Sequence, residues 1–301
     1  MRTKTKSELN GFGKGINVLS LFDGMSCGQI AFNKAGFKIN NYYASEIDKY
    51  AMKVSSANYP DTIYLGDIEN WKSWAIDWST IDFLIGGSPC QGFSFSGKGL
   101  AFDDPRSRLF FLYVDILNHI KECNPNVKFL LENVRMRKTH EDVISDFLGI
   151  EPRVINSNVV SAQNRNRLYW ANWEFFQPEN KEIYWKDIML HDAEGCMYYS
   201  EKAFEWIFKS PKRRERYIEY DKDSKIKMQM LEASHHKGYS NQRCFGIKDV
   251  KGTRYIHPVE CERLQNVPDG YTNHVSRTQR YKMLGNGWTV DVISYILGYV
   301  K

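Results

Sequence analysis

A single cysteine, Cys90, stands between a proline and a glutamine in the stretch GGSPCQGFSFSGKG, residues 86–99. Glycines recur after it, so this part of the chain is too glycine-rich to form a rigid element. A thiol that ends a strand beside such a loop is placed to attack a ligand that the loop then covers. The alternative is a buried cysteine that only packs in the core, which is the commoner situation for a cysteine considered alone.

Acidic and basic side chains follow on later segments. The apolar run LLENV places Glu132 and Asn133 at its end, and QNRNR places Arg165 and Arg167 at alternate positions, which face the same way on a strand. A thiol, a carboxyl and a guanidinium suit attack on an aromatic heterocycle whose ring nitrogen meets an acid and whose carbonyl meets a cation. Cytosine fits this description. A purely structural salt bridge between Glu132 and one arginine is the competing interpretation.

A second cluster indicates a nucleoside ligand. The turn FDGMSCG, residues 22–28, follows the first apolar run, and Glu46 comes 22 residues after Gly24, at the end of the next run. Glycines at such a turn allow close approach of a ligand, and a carboxylate at this spacing can bind ribose hydroxyls. Asp48 and Asp67 add polar groups. The absence of a full GxGxxG pattern favours a ligand without a pyrophosphate, and a plain turn beside an acid remains the alternative.

Alternating elements are needed to bring these residues to one edge. The segment GQIAFNKAGF predicts a helix that ends at Gly36, and SRLFFLYVDILNHIKECNP predicts a helix with one apolar face that ends near Pro125. The predicted strands are INVLSLF, NNYYASEI, TIYLGDI, IDFLIGGSP and VKFLLENV. Alternation of strands and helices indicates a doubly wound α/β sheet, which binds ligands at the carboxyl ends of its strands.

Composition sets the broad class. The chain has 301 residues, 42% hydrophobic and 26% charged, which predicts a folded globular protein. No apolar run approaches the roughly 20 residues that cross a bilayer, and the basic N-terminus leads into no apolar signal core. We therefore expect a cytoplasmic protein that is neither secreted nor bound to a membrane. The 6 cysteines lack metal-ligand spacing, so reduced thiols and no metal are expected.

The composition changes along the chain. We expect residues 1–176 to form a catalytic and cofactor-binding domain, residues 177–255 a smaller second domain, and residues 256–301 a segment that returns to the first. Most of the excess behind the net charge of +5 lies in the second of these. Such a balance is compatible with a polyanionic partner.

Taken together, the motifs resemble those of the DNA (cytosine-5)-methyltransferase family. They occur in the family's order and cover nearly the whole chain except the second domain: FDGMSCG, SEID, GDI, GGSPCQGFSFSGKG, ENV, QNRNR, HPVECERLQNVP and GNGWTV. The resemblance implies a Rossmann-like S-adenosylmethionine-dependent sheet with a smaller inserted target recognition domain. It also implies transfer of a methyl group to carbon 5 of a flipped cytosine in double-stranded DNA, through a covalent cysteine adduct at carbon 6.

The family's roles carry over residue by residue. The residues implied in binding S-adenosylmethionine are Phe22, Asp23, Gly24, Met25, Cys27, Glu46, Ile47, Asp48, Asp67, Ile68 and Pro89, with Asn286, Gly287 and Trp288 returning to the same pocket. Cys90 resembles the nucleophile, Glu132 the acid at ring nitrogen 3, and Arg167, with Arg165 behind it, the partner of the cytosine carbonyl. Asn133 helps to shape the pocket.

DNA contacts are expected in two regions. Residues 177–255 would form the target recognition domain, where side chains able to read base edges or neutralise phosphates are frequent. Solvated charge is the competing explanation for the basic run PKRRER at 211–216. The candidate DNA-binding residues are Gln91, Ser94, Lys98, Arg213, Arg214, Asn241, Gln242 and Arg243.

The length and the motif variants indicate what kind of organism and enzyme system the chain comes from. The length and the lack of a regulatory module favour a bacterial, prophage or viral enzyme of a restriction–modification system, which leaves room for a companion restriction endonuclease. PCQGFS is similar to bacterial enzymes, whereas GNGWTV is closer to animal de novo methyltransferases. The alternatives are a tRNA cytosine-5 methyltransferase and a catalytically silent DNA-binding homologue. A nicotinamide oxidoreductase would not explain Cys90 together with Glu132.

Overall fold

The computed structural model describes residues 15–89, 105–191, 194–238 and 244–300. The chain divides into two compact units. The first unit comprises Met1–Asn156, Asn166–Gln177 and Val292–Lys301, and the second comprises Ser157–Arg165 and Pro178–Asp291. The second unit is therefore larger than the segment 177–255 expected from composition, because residues 256–291 and the short piece before Asn166 also pack within it.

A seven-stranded sheet forms the centre of the first unit. Its strands are β1 (Ile16–Leu21), β2 (Ile39–Ser45), β3 (Ile63–Tyr64), β4 (Phe83–Gly86), β5 (Lys128–Val134), β6 (Arg153–Asn156) and β7 (Asn166–Ala171). The spatial order is β3-β2-β1-β4-β5-β7-β6. The pairs from β3 to β5 are parallel, and β7 runs antiparallel to both β5 and β6. The predicted doubly wound α/β sheet is confirmed, with its strand order reversing between β1 and β4, where such sheets bind ligands.

Helices connect these strands. They are α1 (Cys27–Ala35), α2 (Lys49–Asn58), α3 (Pro105–Cys123) and α4 (Lys138–Leu148). The apolar face predicted for α3 is real: Tyr113, Ile116 and Ile120 are fully buried against β1, β4 and β5 in the core of the unit. At the start of α1 the helix lies so close to the sheet that a Cβ on Gly28 would stand 2.5 Å from the Tyr42 hydroxyl. Any larger residue at position 28 would displace the ends of neighbouring side chains, so a glycine allows this close packing.

The second unit has a different composition and a smaller sheet. Its elements are α5 (Glu201–Lys209), α6 (Pro211–Arg216), β8 (Ile218–Tyr220), β9 (Phe245–Asp249), β10 (Gly252–Arg254), α7 (Pro258–Leu264) and α8 (Arg277–Asn286). The strand order is β10-β9-β8. Arg254 is buried there and forms ion pairs with Glu260 at 2.7 Å and Asp249 at 3.0 Å, so its charge is compensated.

The last helix, α9 (Val290–Leu297), carries the chain back to the first unit. Its residues from Val292 onward belong to that unit, where the indole of Trp173 donates a hydrogen bond to the carbonyl of Ile296 at 3.0 Å. Of the segment 256–301, which was expected to return to the first domain, the part from Val292 onward belongs to the first unit. Among the residues that the structure describes, we find no helix with the length and apolar character to cross a bilayer.

Candidate active site

The turn after β1 has an unusual backbone. Phe22, Gly24 and Ser26 adopt φ angles of 58°, 61° and 62°, the left-handed region that residues other than glycine rarely enter. The carboxylate of Asp23 fixes the turn by accepting hydrogen bonds from the hydroxyls of Ser20 and Tyr42, both at 2.7 Å, and of Ser26. Such strain persists where surrounding contacts over-determine it, which is typical of binding sites.

Asp23 is electrostatically unusual as well. Burial raises the pKa of its carboxyl from 3.8 to about 6, and the nearby charge of Glu46 acts in the same direction. The hydrogen bonds from Ser26, Ser20 and Tyr42 favour the ionised form and oppose this shift without cancelling it. The turn therefore rests on a carboxyl whose charge changes within the mildly acidic range.

Glu46 lies at the carboxyl end of β2 and binds the same turn. One carboxylate oxygen accepts from the backbone N–H of Gly24 at 2.7 Å, and the other accepts from the N–H groups of Ile47 and Asp48 at 2.8 and 2.7 Å. A carboxylate has about four acceptor positions, so these three bonds hold it in place and leave capacity for a ligand hydroxyl. The side chain of Ile47 beside it is 73% exposed, an apolar surface next to a fixed acceptor.

The other cofactor candidates of this unit have local structural roles. Asp48 caps α2 by accepting from the N–H of Tyr50 at 2.9 Å, and Asp67 caps the short 3-10 helix Ile68–Ser73 by accepting from Glu69 at 3.0 Å. Ile68 is buried. Met25 and Cys27 are also almost fully buried, at 1% and 4% exposure.

The carboxyl end of β5 carries an ion pair. Because β7 is antiparallel to β5, Val134 lies opposite Arg167 and Glu132 opposite Tyr169. The Nε of Arg167 approaches an Oε of Glu132 to 2.9 Å, and the two side chains are only 8% and 11% exposed. The salt bridge between Glu132 and an arginine, which was the competing interpretation of these residues, is thus present. It also holds an acid and a cation side by side at the rim where ligands of such sheets bind.

Asn133 connects β5 to the segment before Cys90. Its amide nitrogen donates to the carbonyl and the hydroxyl oxygen of Ser88 at 3.3 and 3.2 Å, and its amide oxygen accepts from Val134 at 2.8 Å. Pro89, next in the chain, is partly buried. The predicted nucleophile Cys90 and the candidate DNA contacts Gln91, Ser94 and Lys98 lie outside the described residues.

Arg165 differs from its prediction. It precedes β7 and belongs to the second unit, so it does not share a strand face with Arg167. Its buried guanidinium donates to three backbone carbonyls, those of Leu231 at 3.1 Å, Gly285 at 3.2 Å and Gly287 at 2.9 Å. The expectation that Arg165 and Arg167 face the same way on one strand was wrong, because the strand begins only at Asn166.

The segment GNGW is held by this arginine and by a glutamine that sequence reasoning missed. The amide nitrogen of Gln265 donates to the carbonyls of Leu284 at 2.7 Å and Gly287 at 3.2 Å, so two side chains fix the carbonyl of Gly287. Asn286, Gly287 and Trp288 lie in the second unit. Their approach to the turn after β1 stays a prediction.

The candidate DNA-binding arginines have unequal surroundings. Arg213 on α6 places its guanidinium 3.8 Å from the ring centroid of Trp206 and donates to the Trp206 carbonyl at 2.8 Å. Arg214, the next residue, is exposed. Asn241, Gln242 and Arg243 lie outside the part of the chain that the structure describes.

Comparison with known proteins adds to this geometry. The chain is similar to the type II methyltransferase M.HhaI of Haemophilus parahaemolyticus, with 27% identity over 94% of this chain and 93% of that protein. It is similar to M1.ScrFI of Lactococcus lactis subsp. cremoris, with 31% identity over 93% of this chain and 76% of that protein.

A solved structure shares the fold. The methyltransferase EhMeth of Entamoeba histolytica gives a TM-score of 0.74 at 18% identity, covering 95% of this chain and 98% of that one. The model of the family C-5 cytosine-specific DNA methylase matches residues 16–171 and 164–301. The resemblance carried by the motifs is therefore confirmed, and the chain belongs to the C-5 cytosine-specific DNA methylase family.

Proposed function

We propose that this enzyme transfers a methyl group from S-adenosylmethionine to carbon 5 of a cytosine that is flipped out of double-stranded DNA, through a covalent adduct with Cys90. The observation that carries the proposal is the buried pair of Glu132 and Arg167, 2.9 Å apart at the end of β5. The neighbouring residue Asn133 fixes Ser88, two residues before the cysteine. An acid, a cation and a thiol are the groups that addition to cytosine requires.

The turn after β1 fits S-adenosylmethionine. Glu46 offers a fixed carboxylate for sugar hydroxyls, and the exposed side chain of Ile47 offers an apolar surface for a base. The carboxyl ends of neighbouring parallel strands bring Asp67 to the same rim. When bound, the cofactor supplies an electrophilic methyl group.

The chain's own residues then act on the cytosine ring. The thiolate of Cys90 adds to carbon 6, while Glu132 acts at ring nitrogen 3 to stabilise the charge that develops there and Arg167 polarises the carbonyl at carbon 2. Carbon 5 thereby becomes nucleophilic, and the bound cofactor would supply its methyl group there, the sulfur–methyl bond breaking to leave S-adenosylhomocysteine. Loss of the proton from carbon 5 restores the ring double bond, breaks the sulfur–carbon bond and returns the thiolate.

Arg165 has a different part in this scheme. Because its guanidinium is used by the carbonyls of Leu231, Gly285 and Gly287, we assign it to positioning the GNGW segment rather than to contact with cytosine. The target base must leave the duplex before Cys90 can reach it, at a cost of a few kcal/mol. We assign sequence recognition to the second unit, in which the polar and basic segments lie.

Base-resolution mapping of 5-methylcytosine tests the reaction. The protein is expressed in a host without cytosine methylation, and methylation in one short sequence context is expected across the genome. Genomic DNA without 5-methylcytosine, from cells that contain the folded protein, would contradict the proposal. Transfer RNA from the same cells serves as the comparison substrate, since methylation there alone would identify RNA as the target.

Covalent trapping tests the mechanism. A duplex with 5-fluorocytosine has no proton to lose from carbon 5, so the protein is expected to stay attached to it, and the Cys90→Ser variant is not. Glu132→Gln is expected to slow methyl transfer by about 10²–10⁴-fold, the contribution of a positioned acid. Glu141→Gln on α4, which removes a carboxylate that pairs with Lys138 at 3.2 Å, is the matched control. Equal rates of methyl transfer by these two variants would show that Glu132 does not act as the acid.

A further inference from the structure

The second unit contains a pocket that the methyl-transfer scheme does not use. It encloses about 220 Å³. Its lining combines aromatic and aliphatic side chains with basic ones, and all of its lining residues lie between Met197 and Tyr281, within the second unit. It is therefore a feature of one compact unit, and its lining residues include none of the residues given a role in methyl transfer.

The apolar part of the pocket is built from rings. The ring centroids of Tyr199 and Tyr255 are 4.3 Å apart at an interplanar angle of 63°. The hydroxyl of Tyr199 donates to the carbonyl of Phe245, another lining residue. A Cβ on Gly238 would stand only 2.9 Å from the ring of Tyr255, so the backbone of Gly238, at the end of the 3-10 helix Ala233–Lys237, packs directly on the pocket wall. The rings are thus held in place by backbone contacts.

The polar part of the pocket is cationic. Arg277 donates to the carbonyl of Gly195 at 2.7 Å and to the hydroxyl of Tyr281 at 2.9 Å, which fixes its guanidinium in the wall. His236 and Lys237, which also line the pocket, are exposed. Among the described residues that line the pocket, none is acidic. The pocket therefore favours a ligand that combines a planar apolar face with negative charge.

The volume limits the size of that ligand. Pockets for drug-sized molecules enclose roughly 300–1,000 Å³, and this one is smaller. Proteins hold single bases by stacking them on aromatic side chains, with cations neutralising the adjoining phosphate. From these rings, cations and dimensions, we infer that the pocket binds one nucleotide unit, a base with its phosphate, other than the cytosine that is methylated.

A nucleotide unit has two sources, and the experiment separates them. In the first arm, binding of the free mononucleotides AMP, GMP, CMP and TMP to the full chain is measured by ligand-observed NMR. In the second arm, dissociation constants are measured for a duplex that contains the methylated sequence, and for a series of the same duplex with one abasic position each. This second arm rests on the proposed function, whereas the first does not.

The test variant is Tyr199→Ala, which is expected to weaken binding about tenfold, a factor within the range that base–aromatic stacking contributes. In the duplex series, one abasic position outside the target cytosine is expected to abolish the difference between this variant and the unchanged chain. Lys237→Gln, at an exposed position, tests the same pocket if Tyr199→Ala lowers the unfolding temperature. Phe208→Ala, which removes a ring that is 41% exposed elsewhere in the second unit, is the matched control.

Each result has a defined meaning. Loss of mononucleotide binding in the variants supports a site for free nucleotides, and a position-specific effect in the duplex series supports a second DNA nucleotide. Equal binding by Tyr199→Ala, Lys237→Gln and the control in both arms would overturn the inference. Methylation of the unmodified duplex is measured in parallel, so failure of the enzyme activity is seen separately from failure of the pocket to bind.

Discussion

At the scale of single residues, the Asp23 carboxyl makes stability depend on pH. Because burial raises its pKa from 3.8 to about 6, the folded chain holds this proton more tightly than the unfolded chain. Its stabilising contribution is therefore complete below about pH 4 and is lost as the pH rises through 6. We expect the free energy of unfolding of the unchanged protein, relative to Asp23→Asn, to fall by at most about 3 kcal/mol between pH 4 and 7. Urea unfolding measures this.

Tyr42→Phe is a second variant, which keeps the Asp23 carboxyl but changes its pKa. The Tyr42 hydroxyl donates to Asp23 at 2.7 Å and favours the ionised form, so removing it should raise the pKa of the carboxyl further and move the pH window upward. Parallel unfolding curves for the unchanged chain and Asp23→Asn across the whole pH range would show that the carboxyl is not perturbed.

Residue types and spacing predicted which side chains lie at the site, but not the hydrogen-bond partners of Arg165. The Glu132 carboxyl and the Arg167 guanidinium are both at the rim, as expected from two short motifs, because strand ends are set by local sequence. The same reasoning gave a wrong prediction for Arg165. Residues two positions apart face the same side only when both lie on a strand, and Arg165 precedes the strand. Its partners, the carbonyls of Leu231, Gly285 and Gly287, are more than sixty positions away and carry no sequence signal.

At the scale of elements, α8 closely approaches the backbone at the start of the 3-10 helix Ala233–Lys237. A Cβ on Gly285 would stand 2.2 Å from the backbone nitrogen of Ala233, a distance that real side chains do not reach. We expect Gly285→Ala to lower the free energy of unfolding by about 1–3 kcal/mol, because that backbone must move to admit the methyl group. Equilibrium unfolding in urea measures the change.

Gly298→Ala is the matched substitution. There the Cβ would lie 3.2 Å from the carbonyl oxygen of Tyr295, at the end of α9, so a shift of a few tenths of an ångström accommodates it. A smaller loss of stability than for Gly285→Ala is expected. Losses of equal size would mean that the contact of α8 with the start of that 3-10 helix is not specially constrained.

Elements with a strong apolar pattern were predictable, and those set by distant pairing were not. The five parallel strands and α3 follow from short buried runs and a helical apolar face, because these patterns are local. The antiparallel insertion of β7 between β5 and β6 depends on pairing across the chain, so the sequence did not indicate it. Yet this insertion is what brings Arg167 to Glu132.

At the scale of the whole molecule, the domain boundaries show what composition can miss. Polar composition marked 177–255 as distinct, but residues 256–291 join the same compact unit through buried contacts such as Arg254 with Glu260. Helical periodicity in those residues says nothing of which unit they pack against. Net charge has the same limitation, because a value of +5 does not tell which cations meet DNA.

The dependence of DNA binding on salt identifies those cations. Each phosphate contact contributes about 0.9 to the slope of log affinity against log salt concentration. Arg214→Ala, at an exposed site on α6, is expected to reduce that slope by about one. Arg213→Ala should leave it unchanged, because the guanidinium stacks 3.8 Å from the centroid of Trp206. Lys53→Ala on α2 removes the same charge from the first unit, so slopes that change equally in all three variants would mean that net charge alone governs DNA binding.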